Sequence, residues 1–265
     1  MRRVVLVITA ALGVLLVASC TSFTFRPTGK GSAPGALQDR SGMVGIPAGV
    51  LEMGAQNAEP DEYPPHKVEL RSFVIDKTEV TVHDYEACVV ARVCRSAALN
   101  EEARAVLTPQ HPISGVSWYD AVKYCEWVGK RLPTEAEWEQ AARAPRAGKY
   151  PWDGPFDASR VNVRGDGDGY PRTAPVGSFP TGASGYGALD LAGNVAEWTA
   201  DWYEATWYQK SPGVNPKGPE ASTGSRAVRG GSWADTDYMA RATVRLGIDP
   251  NLSNDSIGFR CAADR

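Results

Sequence analysis

The chain alternates short apolar stretches with long polar ones broken by glycine and proline, and few windows hold a period long enough to predict an element. Met43-Val44-Gly45-Ile46 and Leu51-Glu52-Met53, on either side of Pro47 and Gly49, predict a pair of short strands around a turn. Val68, Leu70, Phe73 and Ile75 alternate with polar residues around Arg71-Ser72 and predict two more. Residues 59–65 are acidic and broken by proline, which predicts a loop. Thr81 with Asp84 three positions on has N-cap spacing, so a helix should run from there toward Val90.

The strongest local pattern lies between Ser117 and Ala144. Ser117 and Asp120 open one helix whose inner face would carry Trp118, Val122 and Cys125, and Gly129 ends it. Thr134-Glu135-Ala136-Glu137, just after Pro133, is a capping box opening a second helix that presents Trp138, Ala141 and Ala142. Beyond Ala144 the period fails, and Pro, Gly, Asp and Trp recur in long irregular runs that a compact domain must pin down.

The N-terminus follows a different pattern. Arg2 and Arg3 precede an apolar run at residues 4–17, and Val17-Ala18-Ser19-Cys20 closes it with small residues before a cysteine. As a helix this run would reach about 21 Å, short of the ~30 Å hydrocarbon core, so it reads as a cleaved leader. The arrangement resembles a bacterial lipoprotein signal, with residues 1–19 as leader and Cys20 as the lipidated first residue of the mature chain. A plain secretory leader cut near Ala18 is the alternative. Several acyl chains on Cys20 would anchor the protein stably to a membrane. Thr21 in place of Asp implies, by the same resemblance, sorting to the outer membrane of the bacterial cell envelope. Residues 20–42, rich in Gly, Ser, Pro and Thr, read as a flexible tether, and residues 43–265 as the folded domain.

Composition narrows the chemistry. Formal charge is -3, or about -5 once Arg2 and Arg3 leave with the leader. No basic run interrupts the mature chain and its aromatics are not interleaved with Lys or Arg, so nucleic acid is not an expected partner. His66, His83 and His111 lack zinc or iron spacing and read as surface or capping residues. The eight tryptophans read as core aromatics, of which one or two could line a groove. With Cys20 acylated, Cys88, Cys94, Cys125 and Cys261 remain, an even set that favours two disulfides out of three possible connectivities. Cys88 and Cys94, near in sequence at one helix end, are expected to join.

Two stretches point to a family. The run from Gly129 through Lys130-Arg131-Leu132-Pro133-Thr134-Glu135-Ala136-Glu137-Trp138 to Glu139 is the first. Arg229-Gly230-Gly231-Ser232-Trp233 followed by Gly258-Phe259-Arg260-Cys261 is the second. Together they resemble the signatures of the formylglycine-generating enzymes, or sulfatase-modifying factors, and the resemblance spans residues 43–264. It implies an α+β fold related to C-type lectin-like domains, with little regular secondary structure, short strands and a few helices. It implies a Cys125–Cys261 disulfide. It also implies two calcium sites. One would use Asn162 and Asp168 with the carbonyls of Val163 and Tyr170; the other, Asp190 and Glu197 with the carbonyls of Gly193 and Val195. In the family's oxidases two cysteines after the Gly-Gly-Ser hold Cu(I) and oxidise a substrate cysteine with O2. Those positions are Asp235 and Ala240 here, and a carboxylate with a methyl group cannot form a soft bis-thiolate site, so no copper is expected.

Three functions follow. The first is a non-catalytic binding or scaffold protein of the envelope, whose residues 233–256 face an unknown protein or glycan. Its ligand-binding set would be Ser232, Trp233, Asp235, Asp237, Tyr238, Arg241, Arg245, Asn251 and Asn254, unless Arg241 and Arg245 bridge to Asp235 or Asp249. The second is a formylglycine-generating oxidase acting on a sulfatase cysteine. The third is another enzyme using carboxylates such as Asp235 and Asp237.

Overall fold

The computed structural model describes residues 42–265 except Asp166, so the expected leader, Cys20 and the expected tether up to residue 41 lie outside the described residues. Four strands come first: β1 (Met43–Ile46), β2 (Gly49–Met53), β3 (His66–Leu70) and β4 (Phe73–Asp76). All four are at the places the alternation predicts, but the two around the Pro47 turn part into different sheets. β2 pairs antiparallel with β3, placing Leu51 opposite Val68. β1 pairs antiparallel with β4, placing Ile46 opposite Phe73. Their inward residues feed separate cores, Ile46 packing with Phe73 and Ile75, Leu51 and Met53 with Val68 and Leu70.

The helices begin where their caps predict. α1 (Val82–Val90) is capped by the Thr81 hydroxyl, which accepts from the Asp84 N–H. α2 (Glu101–Val106), capped by Asn100, is a short helix that the apolar pattern does not show. α3 (Trp118–Trp127) and α4 (Glu135–Arg143) open on reciprocal capping boxes, Ser117 with Asp120 and Thr134 with Glu137. Each such cap satisfies two backbone donors that the helix itself leaves without partners.

Four further strands, β5 (Ala196–Trp202), β6 (Arg226–Arg229), β7 (Leu246–Ile248) and β8 (Ile257–Gly258), form a sheet ordered β7-β6-β5-β8. The last strand, β9 (Ala262–Asp264), adds to the first sheet beside β4. Tyr85 of α1, Tyr124 of α3, Trp198, Val228 and Phe259 share one core cluster. The disulfides are Cys88–Cys94 and Cys125–Cys261, with Cα separations of 5.3 and 5.7 Å; the second ties α3 to the residue before β9.

α4 packs against β2, β3, β5 and β6. It therefore buries Glu135, Glu139, Gln140 and Arg143 as well as the expected Trp138, Ala141 and Ala142. His111 departs from its surface reading: the Val82 N–H donates to its carbonyl, drawing it beneath α1. It is buried, with Nδ1 2.9 Å from Thr173 Oγ1, and burial lowers its pKa.

Candidate functional site

β6 runs straight into Gly230-Gly231, and both glycines take positive φ, 93° and 66°. A side chain at Gly231 would put its Cβ 2.7 Å from the Met239 carbonyl oxygen, so only glycine lets the chain turn back this tightly. The turn delivers Ser232 to the interior and Trp233 to a half-buried position. Two buried arginines hold the frame. Arg229 donates to Glu135 at 2.8 Å, Glu139 at 2.7 Å and the Ala242 carbonyl at 2.7 Å. Arg260 makes two 2.7 Å bonds to Glu197 and one of 2.8 Å to the Leu189 carbonyl. A carboxylate taken from water needs such full pairing to be tolerated.

Inside this frame the two positions that would carry copper-binding thiols are chemically closed. Asp235 turns back on the glycine turn, its Oδ2 accepting from the Ser232 N–H at 3.0 Å and from the Ser232 hydroxyl at 2.6 Å. Ala240 is fully buried in a cluster with Tyr150, Trp152, Val161 and Ala192. Tyr150 and Trp152 stack there with ring centroids 5.1 Å apart. One position is an oxygen already used to cap a turn; the other is hydrocarbon packed on hydrocarbon. Neither offers a soft ligand.

The expected ligand-facing set divides. Asp237, Tyr238, Asn251 and Asn254 are exposed, while Trp233 and Asp235 are half-buried. Asn251 and Asn254 also shape the surface locally, Asn251 donating to Asp249 and Asn254 accepting from Ser256. Ser232, Arg241 and Arg245 are buried, which corrects their assignment to the ligand face. Arg241 is drawn inward by Glu62, the fully buried end of the 3-10 turn Pro60–Glu62 within the predicted acidic loop, through bonds of 2.8 and 3.0 Å. Arg245 is drawn in by Glu135 at 2.6 and 2.9 Å. Neither reaches Asp235 or Asp249. Beside the turn, Arg164, Tyr170 and Trp233 line a cleft of about 410 Å³. Arg164 fixes one wall by donating from Nε to the Ala234 carbonyl at 2.7 Å and from its backbone N–H to the Asp235 carbonyl at 2.8 Å.

The two loops expected to hold calcium are laced together. The Asn194 N–H donates to the Asn162 carbonyl at 2.8 Å, and Asn162 bridges Gly193. Gly193 has φ of 70°, and a Cβ on it would lie 2.1 Å from the Asn162 carbonyl oxygen. Asn162 is buried; its amide donates to the Arg172 carbonyl and to Asn194, while its Oδ1 has no partner among the described residues. Asp168 is half-buried, and its Oδ1 accepts from the Tyr170 N–H at 2.9 Å. That donor set of hard oxygens, with one of them buried and unpartnered, fits a calcium ion.

The second loop differs from expectation in its carboxylates. Glu197 gives both oxygens to Arg260 and one also to the Trp138 indole N–H, so its side chain serves as a counter-ion. Asp190 accepts from the Gly177 N–H at 2.6 Å. Glu79, which no sequence pattern singles out, is buried beside it and accepts from the Asn194 amide at 3.2 Å. Burial, with the neighbouring Asp190 and Glu197, pushes the Glu79 carboxyl well above its ordinary range, and burial likewise raises Asp190. Three carboxylates thus face one guanidinium, an excess of negative charge that a proton or a hard cation would relieve. Among the described residues no three His, Cys, Asp or Glu side chains converge as a metal shell, so any calcium here would draw on Asn and carbonyl oxygens.

Comparison with known proteins agrees with this frame. Residues 30–265 match the family model for the sulfatase-modifying factor enzyme 1-like domain. The chain is 37% identical to the formylglycine-generating enzyme of Streptomyces coelicolor, over 84% of this chain and 89% of that one. It is 34% identical to the inactive C-alpha-formylglycine-generating enzyme 2 of Bos taurus, over 83% of this chain and 87% of that one. Among solved structures, PvdO from Pseudomonas aeruginosa superposes with a TM-score of 0.76 at 30% identity, covering 84% of this chain and 94% of PvdO. Variable protein 1 of Treponema denticola gives 0.71 at 25% identity, with 84% and 95% covered.

Proposed function

This chain belongs to the sulfatase-modifying factor enzyme 1-like family, and from that premise we propose that it is a non-catalytic binding member, an envelope lipoprotein that presents the surface around Trp233 to a protein or glycan. The observation that carries the reading is the pair Asp235 and Ala240, the first tied to Ser232 and the second sealed among aromatic rings. Oxidation of a substrate cysteine in this family needs two thiolates at those places. That one relative, from Bos taurus, is named an inactive formylglycine-generating enzyme supports the reading.

Binding would fall to the side chains that the frame leaves outward. Asp237 and Tyr238 are exposed at the tip, Arg164, Tyr170 and Trp233 line the cleft, and Asn251 and Asn254 are exposed beyond Trp233, whose indole N–H reaches the Asp255 carbonyl. Aromatic rings with a polar rim suit either a protein or a sugar partner. Asp235 and Asp237 do not act together as an acid–base pair, because one is turned in and the other out. Calcium would be held by Asn162, Asp168 and the carbonyls of Val163 and Tyr170, and by Asp190 with the carbonyls of Gly193 and Val195 next to Glu79. Its contribution there is to pin the irregular loops that carry the surface. Acylation at Cys20 would fix the domain to the outer membrane through the tether.

The test is mass spectrometry of a cysteine-containing sulfatase peptide incubated with the purified domain, Cu(I) and O2. The cysteine should remain intact. Conversion to formylglycine would overturn the proposal.

A further inference from the structure

A larger groove, of about 950 Å³, shares no residue with the cleft at Trp233. Its walls come from the connector between β3 and β4, one face of α3, the loop at residues 215–220 and the ends of β5 and β6. There Arg226 is clamped between two indoles, its guanidinium carbon 3.7 Å from the ring centre of Trp118 and 3.4 Å from that of Trp202. Trp118 is fixed in turn by its indole N–H, which donates to the Thr199 carbonyl at 2.7 Å. One Nη of Arg226 donates to the Ala200 carbonyl at 2.7 Å, and its buried Nε has no hydrogen-bond partner among the described residues. Next to it Asp201, only 3% exposed, accepts the Glu135 N–H on Oδ2 at 2.8 Å, and its Oδ1 likewise has no partner among the described residues.

Arg226 stands apart from the other arginines of the interior. Arg143, Arg229, Arg241, Arg245 and Arg260 are each buried against a carboxylate. Arg226 is half-buried, burial lowers its pKa, and among the described residues no carboxylate lies within ion-pair distance. The indoles cover both faces of the guanidinium, Nε is buried and one Nη is bonded to Ala200, so the other Nη is the donor left at the edge to meet a carboxylate oxygen.

We propose that this groove binds a ligand bearing a carboxylate on an apolar stem, with the carboxylate at the free edge of Arg226 and the stem along Val122 and Leu132. Asp201 does not bar such a ligand: burial and the neighbouring Glu135 push its carboxyl well above the ordinary range, which weakens the repulsion an ionised acid would exert. The volume is at the upper end of small-ligand sites, roughly 300–1,000 Å³, and admits either a free acid or the C-terminal end of a short peptide. Both sources share the carboxylate.

The experiment titrates the intact, 15N-labelled domain with hexanoate, hexanamide, and the peptide acetyl-Ala-Leu-Ala-Leu as free acid or C-terminal amide. The readout is the Arg226 Nε–H cross-peak, assigned by its disappearance in Arg226→Lys. We expect that peak to shift saturably with a carboxylate probe, and the matching amide to bind about tenfold more weakly or worse, as the loss of a charged hydrogen bond implies. A response to hexanoate identifies free acids as the source; a response to the peptide acid alone identifies peptide C-termini. Equal shifts from acid and amide, or no shift with any probe at ~10 mM, would overturn the assignment. If Arg226→Lys does not fold, the peak is assigned instead by through-bond correlation to the Arg226 backbone in the unaltered protein, so a folding defect in the variant neither rescues nor sinks the proposal.

Discussion

Replacing Arg241 with methionine separates a ligand-facing role from a structural one. Glu62 is wholly buried and the Arg241 side chain is 5% exposed, and the two are joined by paired bonds of 2.8 and 3.0 Å. Arg241 also donates from Nε to the Tyr238 carbonyl at 2.9 Å and lies 4.0 Å over the Tyr238 ring. Methionine keeps most of the apolar stem, so cavity formation contributes little. What remains is a carboxylate left in the interior without its cation, and breaking a buried pair in this way costs about 3–5 kcal/mol. An exposed pair would be worth only ~0.2–1 kcal/mol. The larger figure should appear in urea unfolding with both disulfides intact, and as a fall in Tm of roughly 6–20 °C for a domain of this size. The double variant Glu62→Gln, Arg241→Met should recover part of the loss, because the stranded charge has gone. A loss below ~1 kcal/mol in the single variant, with the slope of the urea transition unchanged, would refute the buried pairing and return Arg241 to the surface.

Other perturbations test the rest of the charge network and its pins. Burial disfavours the ionised form of Glu135, but Arg245 and Arg229 outweigh it and hold the carboxyl at about 2 against 4.5 in the unfolded chain. The stability this provides, about 3 kcal/mol, is complete above pH ~4.5 and is lost as the pH falls toward 2, so urea midpoints that stay flat through that window would contradict it. Asp201 runs in the opposite sense: burial raises it well above 3.8, so its stabilising effect is present below that pH and fades as pH rises. Asp201→Asn should accordingly help more at pH 8 than at pH 4, measured as the difference in Tm from the parent. Removing the Cys125–Cys261 link, which spans 136 residues, should lower stability by up to about 5 kcal/mol, several times the effect of conservative core changes measured the same way. Calcium added to chelator-stripped protein should raise Tm, and Asn162→Ala should abolish the part due to the first loop; an unchanged Tm at millimolar calcium would count against both sites.

Local signals in the chain were readable because their partners are near. Thr81, Ser117 and Thr134 each cap a helix through a residue three positions on, and the strand alternation places β1 to β4. Ion pairs were not readable in this way. Arg241 and Glu62 are 179 residues apart, and Arg229 and Glu135 are 94 apart, so no spacing rule connects them. Charge on α4 reads as a solvated face by periodicity alone, since nothing in the helix announces that strands close over it on several sides. Glu79 carries no local signal for the same reason: its meaning arises only where Asp190, Asn194 and Arg260 arrive from the far end of the chain. Arg226 is the inverse case, a charge in a strand whose two aromatic neighbours come from different elements, Trp118 from α3 and Trp202 from β5.

The motifs that identify the family turn out to be its internal struts. Arg229 of the Arg-Gly-Gly-Ser-Trp run reaches Glu135 and Glu139 of the helix opened by the Lys-Arg-Leu-Pro-Thr run, and Arg260 of the Gly-Phe-Arg-Cys run reaches Glu197. Each signature is thus one half of a buried charge pair whose other half lies in a different segment, and loss of either half would strand a charge in the interior. The presence of these motifs therefore reports the fold and is silent about chemistry. Chemistry is reported by the residues the struts do not constrain. Asp235 and Ala240 lie between Ser232 and Arg241, in a span whose neighbours are fixed by a glycine turn on one side and the Glu62 pair on the other. Within that fixed span a cysteine can give way to aspartate or alanine without breaking a strut, because Asp235 needs only to accept from Ser232 and Ala240 only to fill a small apolar space. Such an arrangement lets the frame persist whichever small or hydrogen-bonding residues occupy those two positions.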